Sequence, residues 1–510
     1  MVLLLACLPP ICNPSLREVC WRKPRIPREI ERRIAAANYR RFDTWMLLLL
    51  ALTVILAGVI NYAQVLSLEP ANFDVLNYHL ARIGFYLRQG HLGHFDATYW
   101  AMVVHPKVAT VLMLYTYLVS GMACLISFVQ FVAYGICILA LYGMARLLGG
   151  SRRGSLFAAL IFGLLTICLL EAATGQNDLV MAAFLGCTGY FLLRYRAYRE
   201  VRDLLLTGMA FALTAGVKAN IIMALPSLAL VVLYALWPRR DEPSHPRWRH
   251  LAIGALGLLF ALVIITLPAG YGENFQRYGH PIGPVSVRQE HGYLGTESPG
   301  QLLRYGGFNL LRYAYRALSL DGVPETRVTR FAQWALLAPS QRLFSALGID
   351  LESTAGCREG IRFYFRMPFI SNANTSGWGL LGFLLIWPIV VLCLLGMGRH
   401  AGVRIFAVAA VLFFIIQALV GPYDYFRGRY FIMGAMFALP PLAFVGFPAR
   451  SWLSRAYVSV VLLLGCLSAL CAICIHYGTF VLPVKLNGNY CASTFTLDRT
   501  AQLVREFPDL

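Results

Sequence analysis

Between Asn72 and Lys107 the chain reads NFDVLNYHLARIGFYLRQGHLGHFDATYWAMVVHPK, and residue types able to do chemistry gather in this one interval. Two carboxylates (Asp74, Asp96), four histidines (His79, His91, His94, His105) and the aromatics Tyr78, Tyr99 and Trp100 crowd a polar stretch between hydrophobic blocks. A carboxylate serves as a base and an imidazole as a base or a metal ligand. His91 and His94, with Asp96 nearby, have a ligand-like local spacing. No compact ligand set recurs elsewhere, and histidine is also an ordinary interfacial residue, so no metal is expected.

Other ionisable groups interrupt apolar sequence, where a charge costs several kcal/mol and usually has a partner or a task. Asp74 opens a stretch in which Leu76, Leu80, Ile83 and Leu87 recur at helical spacing, Asp178 opens the apolar run to Leu193, and Lys218 interrupts another. Asp is a preferred N-cap, so capping is an alternative for both carboxylates. It does not explain Lys218, whose ammonium suits pairing with one or both of them. Farther on, GENFQRYGHPIGP at 272–284 and YDYFRGRY at 423–430 set Arg277, Arg427 and Arg429 among aromatics and turn residues. A guanidinium is a planar fork of donors matched to phosphate oxygens, although each of these could instead snorkel to lipid headgroups.

What positions these residues is a membrane bundle. Apolar residues make up 58% of the 510-residue chain and charged ones 14%, with repeated apolar runs near twenty residues, long enough to cross a bilayer as helices. The runs are continuous rather than alternating, so the spanning structure is helical and not a barrel. Spans are expected near 45–66, 123–145, 155–172, 178–194, 204–219, 220–238, 251–271, 377–397, 404–421, 430–448 and 456–477. The net charge of +19 does not indicate nucleic acid, because the arginines collect in short connections as the positive-inside bias requires.

Basic connections at 146–153, 194–202, 239–250, 399–404 and 450–455 are placed in the cytoplasm with a basic N-terminal segment, 1–42. Parity then makes 107–122 a short helix that dips in or lies along the interface, and gives about eleven crossings over 43–477. The loop 67–107, the turn Gly175 to Asp178, Lys218, the long loop 272–376 and the tail 478–510 all fall on the outer side. The long loop is expected to hold helices of its own. The cysteines, Cys471 and Cys474 included, lie mostly within apolar runs and read as small hydrophobes.

Several blocks resemble one family in the same order: FDVLNYHLARIGFYLRQGHLGHFD with HPKVATVLMLY, TGQNDLVMAAFLGCTGYFLLRY, LTGMAFALTAGVKANIIMALPSL, NFQRYGHPIGP and RGRYFIMGAMFALPPLA. Together, from about residue 44 to 450, they resemble GT-C class glycosyltransferases, in particular bacterial relatives of protein O-mannosyltransferases and aminoarabinose transferases. The resemblance implies an inner-membrane enzyme that takes a sugar from a polyprenyl-phosphate carrier and hands it to a glycan, lipid or protein acceptor outside the cytoplasm. It implies Asp74 as base, Asp178 and Lys218 lining the same cavity, and Arg429 rather than Arg427 on the phosphate. The chain departs from the pattern where Val75 follows Asp74 in place of a second acidic residue. It departs again in NANTSGWG at 372–379, which lacks an acidic residue just before the block's Gly.

The chemistry is consistent with this inventory. Sugar transfer from a lipid phosphate needs a base for the acceptor's proton and cations for the leaving phosphate, but no general acid, since phosphate is already a weak base. Inversion by direct displacement is expected, with Asp178 orienting Lys218 or the sugar, Arg277 as a further cavity candidate, and Tyr78, His79, Tyr99, Trp100 and His105 against the sugar or acceptor. The rivals are a glycan ligase, which would use the same groups, and a transporter or flippase of a lipid-linked saccharide, which should show internal repeats that this chain lacks.

Overall fold

The computed structural model describes residues 41–238, 245–292, 298–366, 369–396, 400–444, 452–486 and 489–506. Of the basic segment 1–42, residues 1–40 lie outside the described residues. Each expected span corresponds to helix, in an all-α polytopic membrane bundle with two short antiparallel ribbons after Cys474. Among the described residues five helices are by themselves long and apolar enough to cross a bilayer: Thr44–Ser67, Cys124–Leu147, Trp248–Tyr278, Ala401–Leu419 and Arg455–Cys474. The stretch expected to dip or lie flat is the 13-residue helix Val108–Ser120, about 20 Å at 1.5 Å per residue against a hydrocarbon core of about 30 Å.

The helix Asp178–Tyr198 is the axis of the bundle. Its sequence is apolar all round, so burial is its stable environment, and nearly every residue from Asp178 to Tyr195 is buried. Helices Phe128–Leu147, Val201–Val217 and Phe431–Ala438 surround it. Gly186 lets its neighbours approach, because a Cβ there would lie 3.1 Å from the Ala140 Cβ and 3.2 Å from the Met436 sulfur.

The first outer loop is helical, as expected. Residues Val75–Leu80 form a π-helical turn before the α-helix Ala81–Gln89, which ends at Gly90 with φ 72°. The wider turn shifts the register, so Val75, Tyr78, His79, Arg82, Ile83 and Tyr86 are buried while Leu87 is exposed. Of the stripe Leu76, Leu80, Ile83 and Leu87, Ile83 is buried and Leu80 packs against the core, while Leu87 faces out. Arg82 then pins the rest of the loop, donating to the carbonyls of Ala101 (2.9 Å), Met102 (2.6 Å), His105 (2.9 Å) and Pro106 (3.3 Å). Lys107 closes it by pairing with Glu273 and donating to the Leu92 carbonyl.

The interval 272–376 holds the helices Gly272–Tyr278, Val285–His291, Pro299–Arg316 and Arg327–Ala346. Pro299–Arg316 starts in a capping box of Ser298 and Gln301 and packs Tyr313 and Tyr315 into an aromatic cluster with Phe363, Phe365 and Tyr423. After Cys474 the chain does not trail away. Ile475–His476 pairs with Thr479–Phe480, and Gln502 reaches back to accept from the Glu69 amide at 3.0 Å.

Candidate active site

Four charged side chains from four distant parts of the chain meet at one end of the axial helix. Asp74 comes from the first turn of the loop helix and makes no capping hydrogen bond. Asp178 is the first residue of the axial helix, where the positive end of the helix dipole favours a carboxylate, and Asn177 holds the cap position there. The Val201–Val217 helix stops at Lys218, whose extended backbone (φ −158°, ψ 134°) turns the chain out and delivers the ammonium beside the helix C-terminus. Arg429 stands in the 3₁₀ turn Tyr425–Tyr430, capped by Asp424, whose Oδ1 accepts from the Phe426 amide at 2.9 Å.

The geometry is reciprocal. Lys218 Nζ lies 2.7 Å from Asp178 Oδ1, Arg429 Nη2 lies 2.6 Å from Asp74 Oδ2, and Arg429 Nε lies 3.6 Å from Asp178 Oδ2. Two carboxylates and two cations thus compensate one another where water is scarce. Asp178 is 1% exposed and Asp74, at 17%, is the most accessible of the four. Lys218 also sits 4.6 Å over the Tyr430 ring. Burial pushes the Asp74 carboxyl up, but Arg429 and Lys218 outweigh it and hold the group below the usual carboxylate range. Asp74 is therefore ionised at neutral pH.

An amide pair fixes Arg429. Arg429 donates to Gln176 Oε1, and Gln176 Nε2 donates to Asn374 Oδ1 at 2.6 Å. Beneath them Gln130 donates to Glu171 Oε2 at 2.7 Å and accepts from the Val180 amide at 3.1 Å, tying a second buried carboxylate to the axial helix. Gly428 lets the arginine turn lie against the 372–377 segment, because a Cβ there would stand 2.9 Å from the carbonyl oxygens of both Thr375 and Ser376.

The remaining candidates divide. Tyr78, His79, Trp100 and His105 form a ring-to-ring chain on the loop, with Tyr78 4.2 Å from His79 and 5.2 Å from His105, and Trp100 5.1 Å from His105. Tyr99 joins through its contact with Trp100 at 5.8 Å. His79 shares a 2.8 Å hydrogen bond with Thr110, and burial together with Arg82 lowers its imidazole to about 3, so it is neutral. Arg277 is not among the four charged side chains of the cluster and forms a half-exposed 3.1 Å pair with Asp96. His91 Nδ1 is occupied by the Gly93 amide at 3.0 Å, and among the described residues no group of three His, Cys, Asp or Glu side chains is arranged to hold a metal.

Two open pockets are lined in part by chain neighbours of the cluster, and both include residues of the segment 372–377. One is lined by Tyr313, Arg316, Trp378, Trp387, Tyr425 and Phe431, with Thr375 and Gly428. The other mixes polar and apolar residues and includes Asn72, Thr174 and Asn372.

Residues 104–266 match the family model described as dolichyl-phosphate-mannose-protein mannosyltransferase. Over those residues the chain is similar to that family. The resemblance drawn from the ordered sequence blocks agrees with this match. No curated protein matches. Among solved structures, ArnT from Cupriavidus metallidurans bound to undecaprenyl phosphate is similar at 13% identity, TM-score 0.47, over 83% of this chain and 75% of that one. The apo ArnT structure is similar at 15% identity, TM-score 0.45, over 83% and 74%. The protein O-mannosyltransferase Pmt1-Pmt2 complex of S. cerevisiae bound to the sugar donor is similar at 17% identity, TM-score 0.36, over 48% of this chain and 35% of that one.

Proposed function

We propose that the chain is a membrane glycosyltransferase that moves a sugar from a polyprenyl-phosphate carrier to a hydroxyl acceptor on the extracytoplasmic face, with inversion. The observation that carries this reading is the Asp74–Arg429–Asp178–Lys218 cluster, two carboxylates and two cations within one buried site, which supplies groups suited to act as a base and to hold phosphate. Donor phosphate competes with Asp74 for Arg429 and takes up the guanidinium fork, while Lys218, held by Asp178, supplies the second positive charge. Asp74 is thereby released from its ion pair at the moment a base is needed. It accepts the acceptor's proton as the acceptor oxygen bonds to the anomeric carbon, and the anomeric C–O bond to phosphate breaks with its electron pair leaving on the phosphate. Attack opposite a departing phosphate inverts the anomeric centre. The two cations supply the charge stabilisation themselves.

The aromatic cavity behind Gly428 suits the apolar carrier. Its Trp378, Trp387, Phe414 and Phe431 present hydrocarbon-compatible walls immediately beside the arginine turn. To test the reading, full-length protein in nanodiscs is supplied with radiolabelled polyprenyl-phosphate sugars and an extract of cell-envelope acceptors. Label is expected to leave the carrier and appear in an acceptor with the opposite anomeric configuration. A retained anomer would rule out the single displacement, and movement of intact carrier across the bilayer without cleavage would make the protein a flippase.

A further inference from the structure

The polar cavity is built by parts of the chain that come together for no evident structural need. Glu69, Asn72 and Thr174 come from the approaches to the catalytic loop and turn, Asn372 and Ala373 from the dividing segment, and His476, Tyr477, Thr479, Thr494 and Gln502 from the segment after the last long helix. That last segment is held in place deliberately: Gln502 accepts from the Glu69 amide at 3.0 Å, Arg499 lies 3.8 Å from the Glu69 carboxylate, and the Tyr477 amide donates to the Ser371 carbonyl at 2.9 Å. Two of its lining residues stand two positions along the chain from the charged site, Asn72 from Asp74 and Thr174 from Gln176, the amide that accepts from Arg429.

We infer that this cavity is the acceptor site and that His476 to Thr479, with Thr494 and Gln502, read a hydroxyl-rich, uncharged saccharide in it. This rests on the transfer reading above. The lining mixes apolar residues with polar ones. Gln64, Thr174, Thr494 and Gln502 are held by internal bonds, so the groups that face a ligand are the side chains of Asn72, Tyr477 and Thr479 and the His476 ring, which suit sugar hydroxyls, and no cluster of cations lines the cavity for a phosphate-bearing acceptor. His476 Nδ1 points at the Ala472 carbonyl at 3.2 Å and must be the donor there, which leaves Nε2 as an acceptor. A polypeptide acceptor is disfavoured by the backbone: the Phe480 amide donates to Thr494 Oγ1 (2.8 Å), the Val481 amide to the Cys474 carbonyl (2.9 Å), and the Val481 carbonyl accepts from Ser493 (2.8 Å). These internal bonds use up the strand edge on which an extended peptide would pair.

The test uses the full chain in nanodiscs and saturation-transfer NMR with neutral methyl hexosides and disaccharides, with a blocked Ser/Thr hexapeptide as competitor class, and undecaprenyl phosphate binding measured in parallel. Asn72→Leu and Thr479→Val alter the lining without touching the internal bonds named above. Saturation of at least one glycoside is expected, reduced at least fivefold in both variants, with undecaprenyl phosphate binding unchanged. The inference is overturned if no glycoside is saturated, if saturation survives in both variants, or if only the peptide is saturated. Loss of undecaprenyl phosphate binding by the parent protein would instead strike the donor reading, which keeps the two failures apart.

Discussion

The axial helix Asp178–Tyr198 carries buried ion pairs at both ends, and the two ends are built differently. At its C-terminal end Arg194 pairs with Asp203 at 3.2 Å and Glu200 at 3.9 Å, partners less than ten residues away across a single connection. At its N-terminal end Asp178 pairs with Lys218 and Arg429, and Arg429 with Asp74, so that the charges are collected from loop, helix start, helix break and distant turn. The first arrangement fastens a helix hairpin and needs nothing more than its own sequence neighbours. The second orders four separate segments around charges that cost free energy to bury, which is how a binding site and not a staple is made.

This contrast gives the largest expected effect. Arg429→Ala leaves Asp74 and Asp178 short of a cation, which costs on the order of 3–5 kcal/mol for a broken buried pair and removes transfer altogether. Arg194→Ala breaks a buried pair too and should lower the thermal midpoint, yet transfer per folded molecule should stay at the parent level. Thermal unfolding and labelled-sugar transfer on both variants separate the two ends. Equal loss of specific activity at both would erase the distinction.

Next in size is Gly428→Ala. Its Cβ would collide with two backbone carbonyls, so the arginine turn must shift, and a displacement of that order in a positioned group is worth about 10² in rate. Transfer rate should fall steeply while Kd for undecaprenyl phosphate changes less. An unchanged rate would show that the turn's position is not tightly set.

The pH dependence sharpens the electrostatics. With its carboxyl held below the ordinary range by Arg429 and Lys218, Asp74 contributes ionised-state stability and basicity that are present at neutral pH and lost only as pH falls through the depressed value. Lys218→Met removes one of the two cations, so the acid limb of the rate profile should move to higher pH. A limb that stays put would deny the coupling. The smallest effect is expected for Tyr430→Leu, which removes the ring beneath Lys218 and should cost about 0.5–2 kcal/mol in donor affinity.

The sequence disclosed the bundle and half of the site for the same physical reason. Twenty-residue apolar runs have few other uses, and Asp178 and Lys218 stand out because charge within such runs is expensive. Arg429 and Arg427 were equivalent on residue type, and only the ordered family blocks favoured the one that reaches Asp74. Gln176, Asn374, Gln130 and Glu171 stayed hidden because their partners lie 41 to 253 residues away and an amide in a turn carries no local signal. A π-helical turn breaks the period by which faces are read, so Tyr78, His79 and Arg82, which holds the loop closed, join Ile83 on the buried side without a periodic signal. The polar cavity escaped notice altogether, since it is lined in part by a segment that reads as a plain tail.

The central claim is that Asp74 is the base, and the direct measurement is single-turnover transfer from labelled polyprenyl-phosphate sugar by Asp74→Asn in nanodiscs, with donor binding and thermal unfolding recorded on the same sample. The account predicts a rate lower by about 10²–10⁴, the usual worth of a positioned general base, with donor still bound and the fold retained. A folded Asp74→Asn protein that transfers sugar at the parent rate would contradict it.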